Sequence, residues 1–141
     1  MRKIFVDTGA WAALNNKRDR LHSDAAAENK KLLDERCFYI TSDYVLDETY
    51  TLLLYDTGHK RAVEFGKEIR FLHKKKKIGI VNVTEILLEN AWNLFVKYSD
   101  KEFSFTDCTS FAIMDQMNIK EVFSFDRHFE QYGFVRFPLH Q

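Results

Sequence analysis

Short apolar runs, each followed by a segment of good helix formers, recur along this chain, and that alternation narrows its possible folds more than any other feature. Ile4 to Val6 is a compact run ending in a β-branched residue, which suits a strand covered on both faces of a parallel sheet. Thr8 and Gly9 start a turn. A short helix is expected over Gly9 to Asn15, a loop around Asn16, and a longer helix over Arg20 to Glu35, rich in Ala, Lys, Glu and Leu. Phe38 to Thr41 reads as a second strand, with Ser42 or Asp43 capping a helix over Tyr44 to Tyr55 that Gly58 ends. His59 to Lys74 is helical and leads to a third strand over Ile78 to Val83. Thr84 caps a helix through Tyr98, with Leu87 standing where a capping box would need Glu or Gln. Ser104 to Thr106 leads into a helix over Asp107 to Met117. A fourth strand over Val122 to Ser124, a helical turn over Arg127 to Tyr132 and a fifth strand over Phe134 to Phe137 complete the pattern.

Strand-then-helix order of this kind calls for right-handed crossovers and a mainly parallel sheet with helices on both faces. The fold class is therefore α/β, and residues 1–141 fit a single domain. Thirteen phenylalanines and an apolar fraction of 45% supply its core. A formal net charge of zero excludes attachment to nucleic acid through bulk positive charge, leaving local patches. The run His73 to Lys77 reads as a solvated helix end, favoured by the macrodipole. Together with Lys17, Arg18 and Arg20, Lys74 to Lys77 are the candidates for steering phosphate toward a site. Cys37 and Cys108 show neither metal-ligand spacing nor a disulfide framework, and read as small buried apolar residues of a reducing compartment. The amino terminus enters the first strand at once, leaving no room for a signal peptide, and no apolar stretch is long enough for a bilayer. A cytoplasmic location without membrane contact is expected.

Four carboxylates mark where the chemistry should lie. Asp7 closes the first strand, Asp107 opens a helical pattern after Phe105-Thr106, and Asp126 follows the fourth strand. On a helical wheel Glu48 falls between Tyr55 and Leu52, close to the apolar stripe, so it is expected to point inward and Asp47 outward. Each also has a plain structural reading. Asp107 suits a helix cap, Asp126 a cap on the turn after it, and Asp7 an Asx-turn. Brought together, the four would repel unless a cation neutralised them, and hard oxygen ligands select Mg²⁺ or Mn²⁺. No histidine or cysteine falls in the expected cluster, which disfavours zinc; His128, the nearest histidine in sequence, is expected at the surface or behind the ligands. Thr8 and Thr106 stand beside two of the carboxylates as hydroxyl donors.

Asp7-Thr8 after an apolar strand, Glu48 within Val45-Leu46-Asp47-Glu48-Thr49, Thr106-Asp107-Cys108, and Ser124-Phe125-Asp126-Arg127-His128-Phe129 together resemble the PIN domain, VapC-like toxin ribonucleases in particular. The resemblance implies a three-layer α/β/α sandwich with a mainly parallel central sheet and a Mg²⁺- or Mn²⁺-dependent endoribonuclease. It matches Asp7, Glu48, Asp107 and Asp126 to the family's acidic positions, with Asp126 in its variable segment, and Thr8, Thr106 and Ser124 to its supporting polar positions. For toxin members it further implies RNA cleavage that inhibits translation, a small antitoxin partner encoded alongside and a homodimer. Cys108 stands where many relatives carry Ala, a small apolar exchange.

Three other functions compete. A PIN-domain nuclease of RNA processing would use the same carboxylates, and a non-catalytic RNA-binding PIN module would have no need of all four. An aspartyl-phosphate enzyme resembling haloacid-dehalogenase-like phosphatases would place Asp7 as nucleophile, but it needs a second Asp two residues on, where Gly9 stands.

Overall fold

The computed structural model describes residues 1–139, and its centre is a five-stranded sheet in the order β3-β2-β1-β4-β5 with every neighbouring pair parallel. The strands are β1 (Lys3–Val6), β2 (Phe38–Ser42), β3 (Ile78–Val81), β4 (Glu121–Phe123) and β5 (Val135–Phe137). Between them run α1 (Thr8–Asn15), α2 (His22–Asp34), α3 (Asp43–Thr57), α4 (His59–Lys74), α5 (Glu85–Lys97), α6 (Phe105–Met117) and α7 (His128–Tyr132). The three-layer α/β/α arrangement implied by the resemblance is the one found.

Parallel strands buried on both faces need continuous apolar runs, and Ile4, Phe5 and Val6 are fully buried in the middle of the sheet. β1 pairs with β2 on one side and with β4 on the other, Phe5 standing opposite Ile40 and Val122. The strand order reverses at β1, and crevices at the carboxyl ends of strands beside such a reversal are where open α/β sheets bind ligands. Beneath that edge Phe111 of α6 packs on Phe103, Phe129 and Tyr132, with ring centroids 4.4 to 5.1 Å apart. This aromatic cluster fixes α6 and α7 against the sheet.

Several element ends differ from expectation, each for a local hydrogen-bonding reason. β3 stops at Val81 because the Val83 amide donates to Asp43 Oδ1, leaving the sheet for the cap of α3. α6 starts at Phe105, two residues early, because Ser104 is its N-cap. α2 starts at His22, after Asp19 has used its side chain on the Leu21 amide. Ser42, one of the two caps expected for α3, accepts from the Val45 amide.

Candidate active site

The carboxyl edge of β1 and β4 opens into a cleft of about 720 Å³ whose wall includes Asp7, Glu48, Asp107 and Asp126. Four elements supply them. Asp7 is the N-cap of α1, yet its side chain makes no cap bond to that helix. It accepts instead from Ser124 Oγ at 3.0 Å, and Ser124 Oγ in turn accepts the Asp126 amide at 3.0 Å. One buried hydroxyl thus ties the ends of β1 and β4 to each other and to the start of the next turn.

Asp107 is the third residue of α6 and completes a capping box. Its amide donates to Ser104 Oγ at 3.0 Å, and its Oδ2 accepts the Ser104 amide at 3.1 Å. The capping role read from the sequence is real, and it leaves one carboxylate oxygen free of that duty. Asp126 accepts the His128 amide at 2.9 Å, the i to i+2 bond of an Asx-turn.

Glu48 is exposed at the mouth of the cleft rather than inward, where its Oε1 accepts from Thr8 Oγ1 at 3.1 Å. The wheel misplaced the stripe because Tyr55 and Leu52, taken as apolar markers, are themselves exposed. The buried face of α3 runs through Val45, Leu46, Thr49 and Leu53. Thr106 does not reach the cleft wall; Ser104 does. Arg127 lines the wall and is exposed, whereas none of Lys17, Arg18, Arg20 and Lys74 to Lys77 does.

His128, expected at the surface or behind the ligands, is half-buried and stands against two of the carboxylates. Its Nδ1 lies 2.7 Å from Asp107 Oδ2 and 3.3 Å from Asp126 Oδ1, and one potential ligand atom from each of the three residues lies within 4.8 Å of the others. The available signal was Asp126-Arg127-His128: an Asx-turn brings the backbone amide two residues on to the carboxylate that makes it, which puts His128 beside Asp126.

Burial and neighbouring charge set the electrostatics. Asp7 is pushed up to about 7, first by desolvation and then by the charges of Asp107 and Asp126, against the Thr8 amide and the Ser124 hydroxyl. Asp107 is also raised by burial, opposed by its bond to His128. Negative charge is therefore held at a cost that a cation in the cleft would remove. Hard carboxylate oxygens in an open, polar cleft fit a divalent metal ion of the Mg²⁺ or Mn²⁺ kind.

Residues 4–135 match the PIN domain family model, and the chain belongs to that family. Its likeness narrows further. It is 38% identical over 133 residues to the 23S rRNA-specific endonuclease VapC20 of Mycobacterium tuberculosis, in both strain CDC 1551 / Oshkosh and strain ATCC 25618 / H37Rv, covering 94% of this chain and 95% of that protein. The crystal structure of Mycobacterium tuberculosis VapC20, a sarcin-ricin loop cleaving toxin, superposes with a TM-score of 0.82 at 39% identity, covering 94% of this chain and 96% of that one. The expected resemblance to VapC-like toxin ribonucleases is borne out, and with it the reading of the chain as an endonuclease of the toxin class. No helix among the described residues is long and apolar enough to cross a membrane.

Proposed function

We propose that this protein is a metal-dependent endoribonuclease toxin that cuts the sarcin-ricin loop of 23S rRNA, using Asp7, Glu48, Asp107 and Asp126 to hold Mg²⁺ or Mn²⁺. The observation that carries the reading is the convergence of those four carboxylates on one cleft at the switch point of a fold shared with VapC20. A bound divalent ion supplies a water of lowered pKa and stabilises charge on the departing oxygen. The chain's own groups do the rest. Ser124 orients Asp7, the capping box orients Asp107, and Thr8 steadies Glu48 at the rim. Arg127 offers the scissile region a planar guanidinium suited to a phosphate. The aromatic cluster under the cleft keeps these parts in register.

As a toxin it acts in the cytoplasm, is silenced by a small antitoxin and pairs with a second copy of itself, as the family resemblance implies. Ribosomes incubated with the purified protein in Mn²⁺, Mg²⁺ or chelator, followed by primer extension across 23S rRNA, test the central claim. A single metal-dependent stop in the sarcin-ricin loop, absent with Asp7→Asn, is expected. Metal-independent cleavage or cuts elsewhere would refute it, and light scattering reports the dimer.

A further inference from the structure

We propose that His128 is a positioning residue for the acidic site: its Nδ1–H holds one oxygen of Asp107 so that the other remains free for the cation. The inference rests on the metal-dependent reading above and assigns the side chain that gives one ligand its direction.

The nitrogen stands 2.7 Å from Asp107 Oδ2 and 3.3 Å from Asp126 Oδ1. An ionised carboxylate oxygen only accepts, so between two such oxygens Nδ1 carries the hydrogen. Asp107 Oδ2 also receives the Ser104 amide at 3.1 Å. One oxygen therefore takes both donors, the ring and the helix cap, and Oδ1 takes neither. Asp126 is handled in parallel, since its Oδ1 accepts the His128 amide and lies next to the ring. The imidazole thus joins a carboxylate on α6 to one on the β4–α7 turn.

The ring is itself held. Its backbone is fixed by the Asx-turn, and it packs edge-to-face with the Phe103 ring, centroids 5.5 Å apart at 72°. Phe103 packs in turn on Phe111, which is fully buried. Ligands held by such outer partners bind metal more tightly, and removing a partner typically weakens binding about 10–100-fold.

An asparagine at this position carries its amide nitrogen on the same carbon as Nδ1 and has nothing in the place of Nε2. It therefore separates positioning through Nδ1 from any proton transfer through Nε2. The experiment titrates Mn²⁺ into the parent, His128→Ala and His128→Asn proteins, reading free Mn²⁺ by electron paramagnetic resonance, with rRNA cleavage at saturating Mn²⁺ alongside. His128→Ala is expected to bind Mn²⁺ about 10–100-fold more weakly. His128→Asn should return affinity to within a few-fold of the parent and keep cleavage. Equal affinity in parent and His128→Ala would overturn the inference alone. So would an asparagine variant as weak as the alanine one, which would make the imidazole a ligand. An asparagine variant that binds Mn²⁺ normally yet does not cleave would move the role of His128 to Nε2. A parent that binds no Mn²⁺ would sink the metal-dependent reading and this inference together.

Discussion

At the amino edge of the sheet Arg2 takes both oxygens of Glu121 and one of Glu35, at 2.7 to 3.1 Å, and covers the ring of Phe137. At the carboxyl edge of the same strands Asp7, Asp107, Asp126 and Glu48 share a cleft with one imidazole and one exposed guanidinium. At the first edge both acids are paired with one cation of the chain; at the second, four acids stand with no lysine or arginine among the described residues bonded to any of them. That difference separates charge used for folding from charge reserved for something that arrives later.

Experiments that disturb one edge and spare the other test this contrast. The largest effect should come from Asp7→Asn, which keeps shape and removes charge. Metal-dependent cleavage should fall beyond the ~10–100-fold that losing an outer partner costs. Undiminished cleavage would end the site assignment.

Next is the response of stability to pH without metal. Asp7 titrates near 3.8 when unfolded and near 7 when folded, so between those values the fold keeps a proton that the unfolded chain releases. Stability is fully present below about 4 and is lost as pH rises through about 7. Melting curves in chelator should show this fall. Asp7→Asn should flatten it and melt higher than the parent at pH 8. Saturating Mn²⁺ should raise the parent's melting temperature at that pH.

Arg127→Ala should weaken RNA binding and reduce the slope of log affinity against log salt by about one. Retained slope would remove Arg127 from the phosphate path. At the other edge, Arg2→Ala takes the partner from a part-buried Glu121 that water can still reach and should cost about 1 kcal/mol in urea melts, with cleavage unchanged below the transition. Replacing Lys74 to Lys77 by Gln should have the smallest effect on cleavage, because none of them lines the cleft. A larger loss there than for Arg127→Ala would reverse the order.

Much of the architecture could be read from local pattern, because β1, β2 and α3 are specified by runs such as Ile4-Phe5-Val6 and caps such as Ser42. What escaped were features decided by partners distant in sequence. Val83 leaves the sheet for a carboxylate 40 residues earlier, and no window around Ile78 contains that information. Glu48 reaches the cleft from an exposed position rather than from beside a buried stripe, because Leu52 and Tyr55, apolar in one dimension, are exposed in the fold. Asp7 and Asp126 stand out as carboxylates after strands and Asp107 as one near a helix start, and the fold brings them to one cleft with Glu48; the contact of the His128 ring with Asp107 has no such local mark. Ser104, which reads only as a lead-in to the helix, lines the cleft as the N-cap of α6, whereas Thr106 does not line it.

The bond from Ser124 to Asp7 spans 117 residues and exists only once β4 has docked beside β1. Until then Asp7 and Asp126 belong to separate ends of an unfinished chain, and the acidic cleft has no floor. An acidic site built this way is a product of tertiary assembly, since no short stretch of the chain holds both the carboxylate and the hydroxyl that orients it. The order of strands in the sheet makes the site conditional on the finished fold, so whatever loosens β4 from β1 also takes the site apart.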